Sequence, residues 1–315
     1  MIRYVARRLF LLVLTLVITS FIIFALTNLL PGDVARLVLG RDASPTAIRN
    51  FNEEFGLDRP PLVQYVRWLG GFVTAEWGRS FTAGSPPVRP LVMARLANSI
   101  RLAGLTLLIV IPLSLLLGVL SALRENTWVD GTISVLSLSV VGLPEFVTGI
   151  VLINVFALGL GWFEATALVA EDMSLLQWFR ALLLPAITAS LVLVGYITRM
   201  TRAGVLEELK KPYVRTAVLK GLPWRRVVFS HALRNALMPT IAVIALSIGW
   251  LMGGLVVIEN VFNYPGIGSL LVTAVTQKNL PLLHAISVLI VFFYSFANLV
   301  ADLLFALLNP RIRLG

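Results

Sequence analysis

The chain has 315 residues, of which 58% are hydrophobic and only 13% are charged, and its formal net charge is +10. Ordinary soluble domains carry about 25% charged residues, so this composition indicates an integral membrane protein. The absence of cysteine excludes disulfides, thiolate metal sites and cysteine nucleophiles. In a membrane protein a basic excess belongs to loops that set topology, so we expect no nucleic-acid partner.

Apolar segments predict an all-α polytopic membrane protein with six transmembrane helices. A span needs about 20 apolar residues to cross about 30 Å of hydrocarbon. Five runs meet this requirement or nearly so, namely Leu9–Gly32, Leu102–Leu123, Ala181–Thr198, Ala236–Ile258 and Asn279–Ala301. A sixth, Gly131–Phe163, is interrupted only by Glu145. The first run exceeds the roughly 7–15 apolar residues of a signal peptide and lacks a cleavage site, so we expect an uncleaved helix.

The distribution of basic residues predicts that both termini lie in the cytoplasm. This orientation places 15 of the 26 Lys and Arg residues inside, and leaves only Arg180 and Lys278 in the short outside loops. The other nine lie in or beside Pro31–Arg101, which is long enough to escape the positive-inside rule. Both termini are therefore expected inside.

The chain divides into an N-terminal transmembrane helix (1–32), an extracytoplasmic segment (33–100) and a five-helix core (101–315). In the second part, Ser44-Pro45-Thr46 indicates a helix start, and Ala47–Phe55 predicts a short helix ended by Gly56. Leu62–Phe72 predicts another. A segment this small folds over the helix mouths more readily than it builds an independent catalytic domain.

No enzyme motif is present. The chain lacks a HisGluxxHis pair, a GlyxSerxGly elbow and a phosphate-binding GlyxxxxGlyLys loop. Any ATP must therefore be hydrolysed by another subunit. Its two histidines, His231 and His284, are too far apart in sequence to suggest a metal site, so we expect no metal and no catalytic residue.

Glu145 is an acid near the middle of the third predicted span. A charge there costs about 3 kcal/mol on insertion scales, so the side chain should face protein or water. Pro144 removes a helix hydrogen bond and predicts a kink. Two interpretations remain, a pathway residue that meets an amino group of the cargo and a structural acid bonded to a neighbouring helix.

Small and polar residues predict contacts between helices. Asn298 and Asp302 are four residues apart on one face of the last helix, where Asp302 can pair with an arginine. Gly249 and Gly253 permit a close helix approach, to this chain or to another subunit.

The segment Glu259–Leu271 follows the fifth predicted span. Pro265-Gly266 indicates a turn, and Gly268 permits close backbone approach. An outside loop that re-enters between helices fits these residues, as does a plain surface turn.

A strongly basic segment at 199–235 separates the fourth and fifth spans. It holds nine Lys and Arg residues. Lys211-Pro212 interrupts the preceding helix, and Tyr213–Lys220 predicts a short helix stopped by Gly221. Trp224–Leu237 predicts another. The short helix can dock in a groove of a soluble partner, or the charges can bind anionic lipid headgroups.

From end to end the sequence resembles the inner-membrane permease subunits of ATP-binding cassette importers for dipeptides and oligopeptides. Nine motifs in order carry the resemblance: Leu30–Asp33, Gly56–Asp58, Gln64–Tyr65, Trp77–Ser80, Tyr213–Ala217, Lys220–Pro223, His231–Ala236, Phe262–Gly268 and Asn309–Arg313. Each is weak alone, and together they make a strong match.

The resemblance implies that the basic segment is the family's coupling loop, whose short helix sits in a cleft of the ATPase subunit. The implied coupling residues are Lys211, Tyr213, Arg215, Thr216, Ala217, Lys220 and Gly221. Arg215, Thr216 and Ala217 stand where many importers have Glu-Ala-Ala, which puts in doubt any role of that glutamate. Val34 replaces a proline that often follows LeuProGlyAsp.

The resemblance also implies partners and one further site. The partners are a homologous second permease, two ATPase domains that hold ATP–Mg, an extracytoplasmic solute-binding protein and membrane lipid, and no cofactor is expected in this chain. Pro144 and Glu145 remain the possible pathway residues that the acid and the proline in the third predicted span indicate. The implied binding-protein or pathway-mouth residues are Glu259, Phe262, Tyr264, Pro265, Gly266 and Gly268.

The expected function is inward, ATP-driven transport of peptides across a bacterial or archaeal cytoplasmic membrane. Within the same class, glutathione, nickel chelates, opines or oligosaccharides remain as alternative cargoes. A different class, an ATP-independent secondary carrier, would favour buried ion sites and inverted repeats, which this sequence does not display.

Overall fold

A computed structural model describes residues 2–29, 34–40, 42–82, 84–169 and 173–308. Most of these residues are helical, and none of them belongs to a strand. The helices are α1 Ile2–Leu29, α2 Val34–Leu39, α3 Pro45–Phe55, α4 Pro61–Val73, α5 Val88–Leu123, α6 Trp128–Gly142, α7 Glu145–Leu152, α8 Leu175–Leu209, α9 Pro212–Leu219, α10 Trp224–Arg226, α11 Leu233–Ala236, α12 Met238–Val261, α13 Ile267–Thr276 and α14 Leu280–Leu308. Two π-helical turns, Ile153–Gly159 and Val227–Ala232, extend α7 and join α10 to α11.

Five of the described helices are long and apolar enough to span a membrane: α1, α5, α8, α12 and α14. The segment from α6 through the π-helical turn after α7 is a sixth if its two halves count as one span. The all-helical membrane fold predicted from the sequence is therefore confirmed, with five to six candidate spans.

The third predicted span is not a single kinked helix. Leu143 and Pro144 have extended backbone angles, which turn the chain so that α6 and the α7 half meet at 106°. The physical cause is the proline, which cannot continue the hydrogen-bond ladder and forces the residue before it out of the helical region. The sequence predicted a kink at Pro144, but the structure forms a sharp break.

Helix α8 lies at the centre of the bundle and packs on α5, α6 and α12. Glycines allow these close approaches. A Cβ on Gly118 of α5 would lie 2.5 Å from Thr201 Cβ, and one on Gly195 would lie 2.5 Å from the Ser137 carbonyl oxygen. Real Cβ atoms essentially never come this close, so larger residues at these positions would separate the helices.

The first and last helices pack along each other. Near one end, Arg8 Nη1 lies 2.6 Å from Asp302 Oδ2, which confirms the predicted pairing of Asp302 with an arginine. Near the other end, Thr27 Oγ1 lies 2.7 Å from the buried His284 Nε2. The two contacts fix the register of α1 against α14 over most of its length.

The segment between α1 and α5 forms short helices with a small core of its own. The Ser44 hydroxyl accepts the Ala47 N–H at 3.2 Å, and Gly56 ends α3 in the left-handed conformation. Phe51 and Phe81 pack in this core, with ring centroids 5.3 Å apart. The structure thus confirms the helices predicted at Ala47–Phe55 and Leu62–Phe72, within two residues at each end.

Candidate functional site

The short helix α9 rests on the bundle through one face. Val214 is only 2% exposed and Ala217 is half-buried. They pack in a small apolar cluster with Leu209, Leu222, Val227 and Ala232. The predicted helix Tyr213–Lys220 is confirmed to within a residue, and Ala217 belongs to its seat rather than to its outer surface.

The outer surface of α9 is both apolar and basic. The exposed residues of α9 and of its C-cap are Pro212, Tyr213, Arg215, Thr216, Val218, Leu219 and Lys220. Leu219 is the most exposed of the apolar ones, at 78%. Gly221 ends the helix with φ of 77°, a conformation that glycine adopts without strain. An apolar side chain held in water by an ordered helix indicates a docking surface.

Glu208, buried near the end of α8, ties α9 to the bundle. Its carboxylate accepts hydrogen bonds from the Lys211 ammonium and, at 2.8 Å, from the Tyr213 hydroxyl. The hydrogen bond to Glu208 raises the pKa of Lys211. Burial, together with the same carboxylate, raises the pKa of Tyr213, and both groups are hydrogen-bond donors at neutral pH. Tyr213 and Lys211 of the predicted coupling set thus meet at a residue that the sequence analysis missed.

A second buried acid joins three helices on the same side of the bundle. Asp130 of α6 binds the Arg202 guanidinium of α8 through two hydrogen bonds, of 2.6 and 2.7 Å. Asp130 also accepts the Ser121 hydroxyl of α5 at 2.5 Å and the Asn126 N–H at 3.1 Å. Bidentate pairs of this kind fix orientation as well as position. The ends of α5, α6 and α8 are therefore held together next to the α9 seat.

Glu145 begins α7, immediately after the break at Pro144. Its carboxylate is half-buried, and the part of the chain that the structure describes provides it with no hydrogen-bond or ion-pair partner. A Cβ placed on Gly254 would lie 3.7 Å from both of its oxygens and 3.9 Å from the Trp250 ring. Glu145 therefore lies against the bare backbone of α12 and beside an aromatic side chain.

A cavity of about 410 Å³ lies between α6, α8, α12 and α14, and Trp250 is one of its lining residues. Its polar and aromatic lining residues are Tyr196, Ser247, Trp250, Tyr294 and Asn298. Asn298 thus faces this cavity. Gly249 approaches α14 closely, with its Cβ position 3.2 Å from the Tyr294 ring, whereas a Cβ on Gly253 would meet nothing within 4 Å. The Gly249 contact is therefore within this chain.

Glu259 is completely buried at the end of α12 and binds the start of α13. Its carboxylate accepts the Gly268 N–H at 2.7 Å and the Ser269 N–H at 3.0 Å, which are free donors at a helix N-terminus. It also accepts the Ser99 hydroxyl of α5 at 2.5 Å. A Cβ on Gly266 would overlap the Glu259 carboxyl carbon, at 2.1 Å. The Glu259 carboxylate can therefore occupy this position only because residue 266 has no side chain.

The other predicted pathway-mouth residues also point inward. Phe262 and Tyr264 are fully buried, and burial together with Glu259 raises the pKa of Tyr264, whose hydroxyl donates to the Asn98 carbonyl oxygen at 2.8 Å. Pro265 is half-buried and Gly266 is buried. Gly268 does allow the close backbone approach predicted for it, since its Cβ position lies 2.5 Å from Val256 Cα.

In this segment the exposed residues include Asn260 and Asn263. A contact of this segment with a binding protein or a pathway mouth stays a prediction. Within the chain, the six residues named for it shape the loop. Two of the motifs that suggested the family, Leu30–Asp33 and Asn309–Arg313, lie outside the described residues.

Within the described ranges, no three His, Asp or Glu side chains are grouped so that they could bind a metal ion. Glu208, Asp130 and Ser99 are the functional candidates that sequence reasoning missed. Glu208 had one usable signal, its position three residues before Lys211, because such a spacing brings opposite charges together at a helix end. Asp130 is nine residues from Ser121 and 72 from Arg202, a separation that carries no local signal.

These features define a polytopic membrane protein, a helical bundle with a broken span and a short helix, flanked by lysines, at one end. Comparison with known proteins identifies the family. The family described as binding-protein-dependent transport system inner membrane component matches residues 114–314, and its N-terminal component matches residues 1–102. The chain belongs to this family, and it is an inner-membrane permease subunit of an ABC importer, in which separate subunits hydrolyse ATP.

Curated relatives match over almost the whole chain. A probable peptide ABC transporter permease of Sinorhizobium fredii is 36% identical over 98% of this chain and 99% of its own length. An oligopeptide transport system permease of Bacillus subtilis is 34% identical over 98% of both chains. A glutathione transport system permease of Escherichia coli is 33% identical over 99% of both.

Proposed function

We propose that this permease forms, with a homologous second permease, the pathway for inward transport of peptides. The proposal commits to six spans with both termini in the cytoplasm, and to α9 as the helix that docks on an ATPase domain. Support for the cargo comes from the peptide, oligopeptide and glutathione transport named for the relatives. The observation that carries the coupling role is the outward apolar and basic surface of α9, fixed to α8 through Glu208.

The proposed orientation agrees with the positions of the charges in the bundle. The Arg8–Asp302 pair and the basic N-terminus of α1 lie at the end where positive residues collect. Helices α1 and α14 each cross the membrane once. Their other ends, where Thr27 meets His284, therefore lie on the opposite side. The positive-inside rule assigns the first end to the cytoplasm.

Coupling requires a continuous set of contacts from α9 to the pathway. The seat of α9 and the Glu208 bonds transmit any displacement of α9 to the end of α8. Less than two turns before Glu208, Arg202 binds Asp130 and so connects α8 to α6. Helix α6 leads to the break at Pro144 and to Glu145. A displacement of the docked helix thereby reaches the broken span, which is the element that alternating access would move.

The cargo contact that we propose is made by Glu145. A half-buried carboxylate without a partner in the described chain attracts a cation, and the free amino terminus of a peptide supplies one. The adjacent Trp250 and the cavity it lines offer apolar and aromatic surface to peptide side chains of varied shape. Such a wall accepts many peptides because only the common amino group is recognised by charge.

The proposed partners are the second permease, two ATPase domains that bind ATP–Mg, and an extracytoplasmic solute-binding protein. Purification of the tagged chain in mild detergent, followed by mass spectrometry of the proteins that copurify, tests this assembly. Recovery of an ATPase, a second permease and a binding protein is expected, and vesicles containing the assembly should take up defined peptides only with ATP. A chain that purifies alone and mediates flux without ATP would contradict the coupling role.

A further inference from the structure

A second cavity, of about 510 Å³, lies at the outer ends of α1 and α14, away from the proposed pathway. Phe24 and Asn28 of α1 line it, together with Leu280 and His284 of α14. Its remaining wall is formed by α4 and by the turns before and after that helix. Neither the coupling surface nor the cargo contact makes use of this cavity.

Charged side chains surround the opening of this cavity without pairing. They are Arg59, Arg67, Arg79, Glu54 and Glu76. Within the described ranges none of the five takes part in an ion pair. Three guanidinium groups against two carboxylates leave the opening positive, so an anion would be attracted there.

Two of these arginines converge on one point. Arg59 Nε and Arg67 Nη1 both lie 3.8 Å from the position that a Cβ of Gly56 would occupy, a position left empty because residue 56 is glycine. The turn that carries Arg59 is held by the Gln64 amide, which donates to the Leu57 and Arg59 carbonyl oxygens at 3.1 and 2.7 Å. Two convergent guanidinium groups present several donors to one phosphate.

Helix α4, which carries Arg67, has the features of an interfacial membrane helix. The Tyr65 hydroxyl lies 2.9 Å from Ser20 Oγ of α1, and Ser20 precedes the end of α1 by nine residues, or about 14 Å of helix. Helix α4 therefore leans against a span below its outer end. Leu62 and Val66 form an exposed apolar stripe, 68% and 66% accessible, on another side of the helix from Arg67.

We propose that this cavity binds an anionic phospholipid of the outer leaflet, with its phosphate between Arg59 and Arg67 and an acyl chain along Leu62 and Val66. The inference rests on the orientation proposed above, which puts the outer ends of α1 and α14 at the headgroup level. Trp68 lines the cavity at this depth, where aromatic side chains are enriched in membrane proteins. The bound lipid would hold the extracytoplasmic segment against the bundle.

The test is native mass spectrometry of the full chain in detergent, titrated separately with phosphatidylglycerol and phosphatidylethanolamine. We expect phosphatidylglycerol to bind more tightly, and Arg59→Gln/Arg67→Gln to weaken that binding by about tenfold or more. Arg49→Gln is the matched control, because Arg49 is an exposed arginine of the same segment that does not line the cavity. Equal binding of the two lipids, or equal loss in the Arg49 variant, would overturn the proposal.

A second pair of measurements separates a lipid from a free anion. Leu62→Ser/Val66→Ser should weaken phosphatidylglycerol binding while the arginines remain, because the acyl-chain contact is lost. Inorganic phosphate should displace the lipid only weakly. Full displacement by phosphate, with no effect of the serine variant, would show a site for small anions and refute the lipid.

Membrane orientation is measured independently. The chain has no cysteine, so Asn50→Cys introduces a single thiol in the outer segment for labelling with a membrane-impermeant maleimide in intact cells. Labelling from outside, with unchanged lipid binding in the arginine variant, would reject the lipid site alone. Labelling only after membrane disruption would reject the orientation and, with it, this site.

Discussion

Arg202 and Asp130 form a bidentate ion pair between α8 and α6, with Nε–Oδ1 at 2.6 Å and Nη2–Oδ2 at 2.7 Å. The Asp130 side chain is only 7% exposed, and the Ser121 hydroxyl satisfies the same carboxylate from α5. The pair sits between the end of α8 that carries the proposed coupling helix and the half-span that leads to Glu145. Its contribution to stability can be measured apart from the transmission of motion that we propose for it.

Removing one member of this pair should lower the stability of the bundle. Asp130→Asn leaves the guanidinium without its charge partner at a site largely shielded from water, and we expect a loss of about 2 kcal/mol. The measurement is the thermal unfolding midpoint of the purified chain in detergent. Glu125→Gln is the control, because Glu125 pairs only at 3.5 Å with the exposed Lys210 and should change the midpoint little. Equal midpoints for both variants would contradict the structural role of Asp130.

Leu219→Asp should disconnect the permease from its ATPase while leaving the chain folded. Leu219 is 78% exposed on α9, so an aspartate there disturbs no internal contact but places a charge in an apolar docking surface. We expect ATPase copurification and ATP-dependent uptake to fall by about tenfold or more, with an unchanged unfolding midpoint.

Leu219→Met is the control for this variant, since methionine keeps the apolar contact and should retain copurification. Val214→Ala provides the contrast. Val214 is buried in the seat of α9, so its truncation should lower the unfolding midpoint, which Leu219→Asp should leave unchanged. Normal uptake by the Leu219→Asp permease would show that the ATPase docks elsewhere.

Glu145→Gln should weaken transport of peptides with a free amino terminus. If the carboxylate meets that ammonium group, its loss removes a charge-assisted hydrogen bond, worth about 2 kcal/mol or roughly 30-fold in affinity. N-acetylated peptides lack the cation, so their uptake should be unaffected by the change. Competition uptake in vesicles measures both, and Glu145→Asp should retain most of the discrimination. A similar loss for both peptide classes would assign Glu145 to helix structure instead.

The membrane fold was predictable because its signals are local and repeated. Apolar runs of about 20 residues located the helices, and Pro212 with Gly221 located α9 to within a residue. Pro144 predicted a disturbance but not its size, since the 106° angle depends on how α7 packs against α8 and α12. Asp302 could be paired with an arginine in advance, because both residues stand near the same end of adjacent spans.

The candidate site was predictable only in part, because its buried bonds join distant parts of the chain. Ser99 and Glu259 are separated by 160 residues, and nothing in the sequence around either one indicates the other. The contact of Glu259 with a binding protein or a pathway mouth, implied by the family resemblance, stays a prediction, and the structure adds that its carboxylate is bonded within the chain. The coupling role of Ala217 likewise stays a prediction, and the helical phase of α9, which the sequence motif alone does not reveal, turns this residue toward the seat.

Gly266→Ala should destabilise the junction between α12 and α13. Its Cβ would lie 2.1 Å from the Glu259 carboxyl carbon, and that carboxylate cannot withdraw without leaving the Gly268 and Ser269 N–H groups unsatisfied. We expect a loss of about 3 kcal/mol or more, measured as a lower unfolding midpoint and poor yield from the membrane. Gly253→Ala is the matched control, because a Cβ there meets nothing within 4 Å, and its midpoint should match that of the unaltered chain. A Gly266→Ala protein as stable as this control would mean that the Glu259 network does not hold the start of α13.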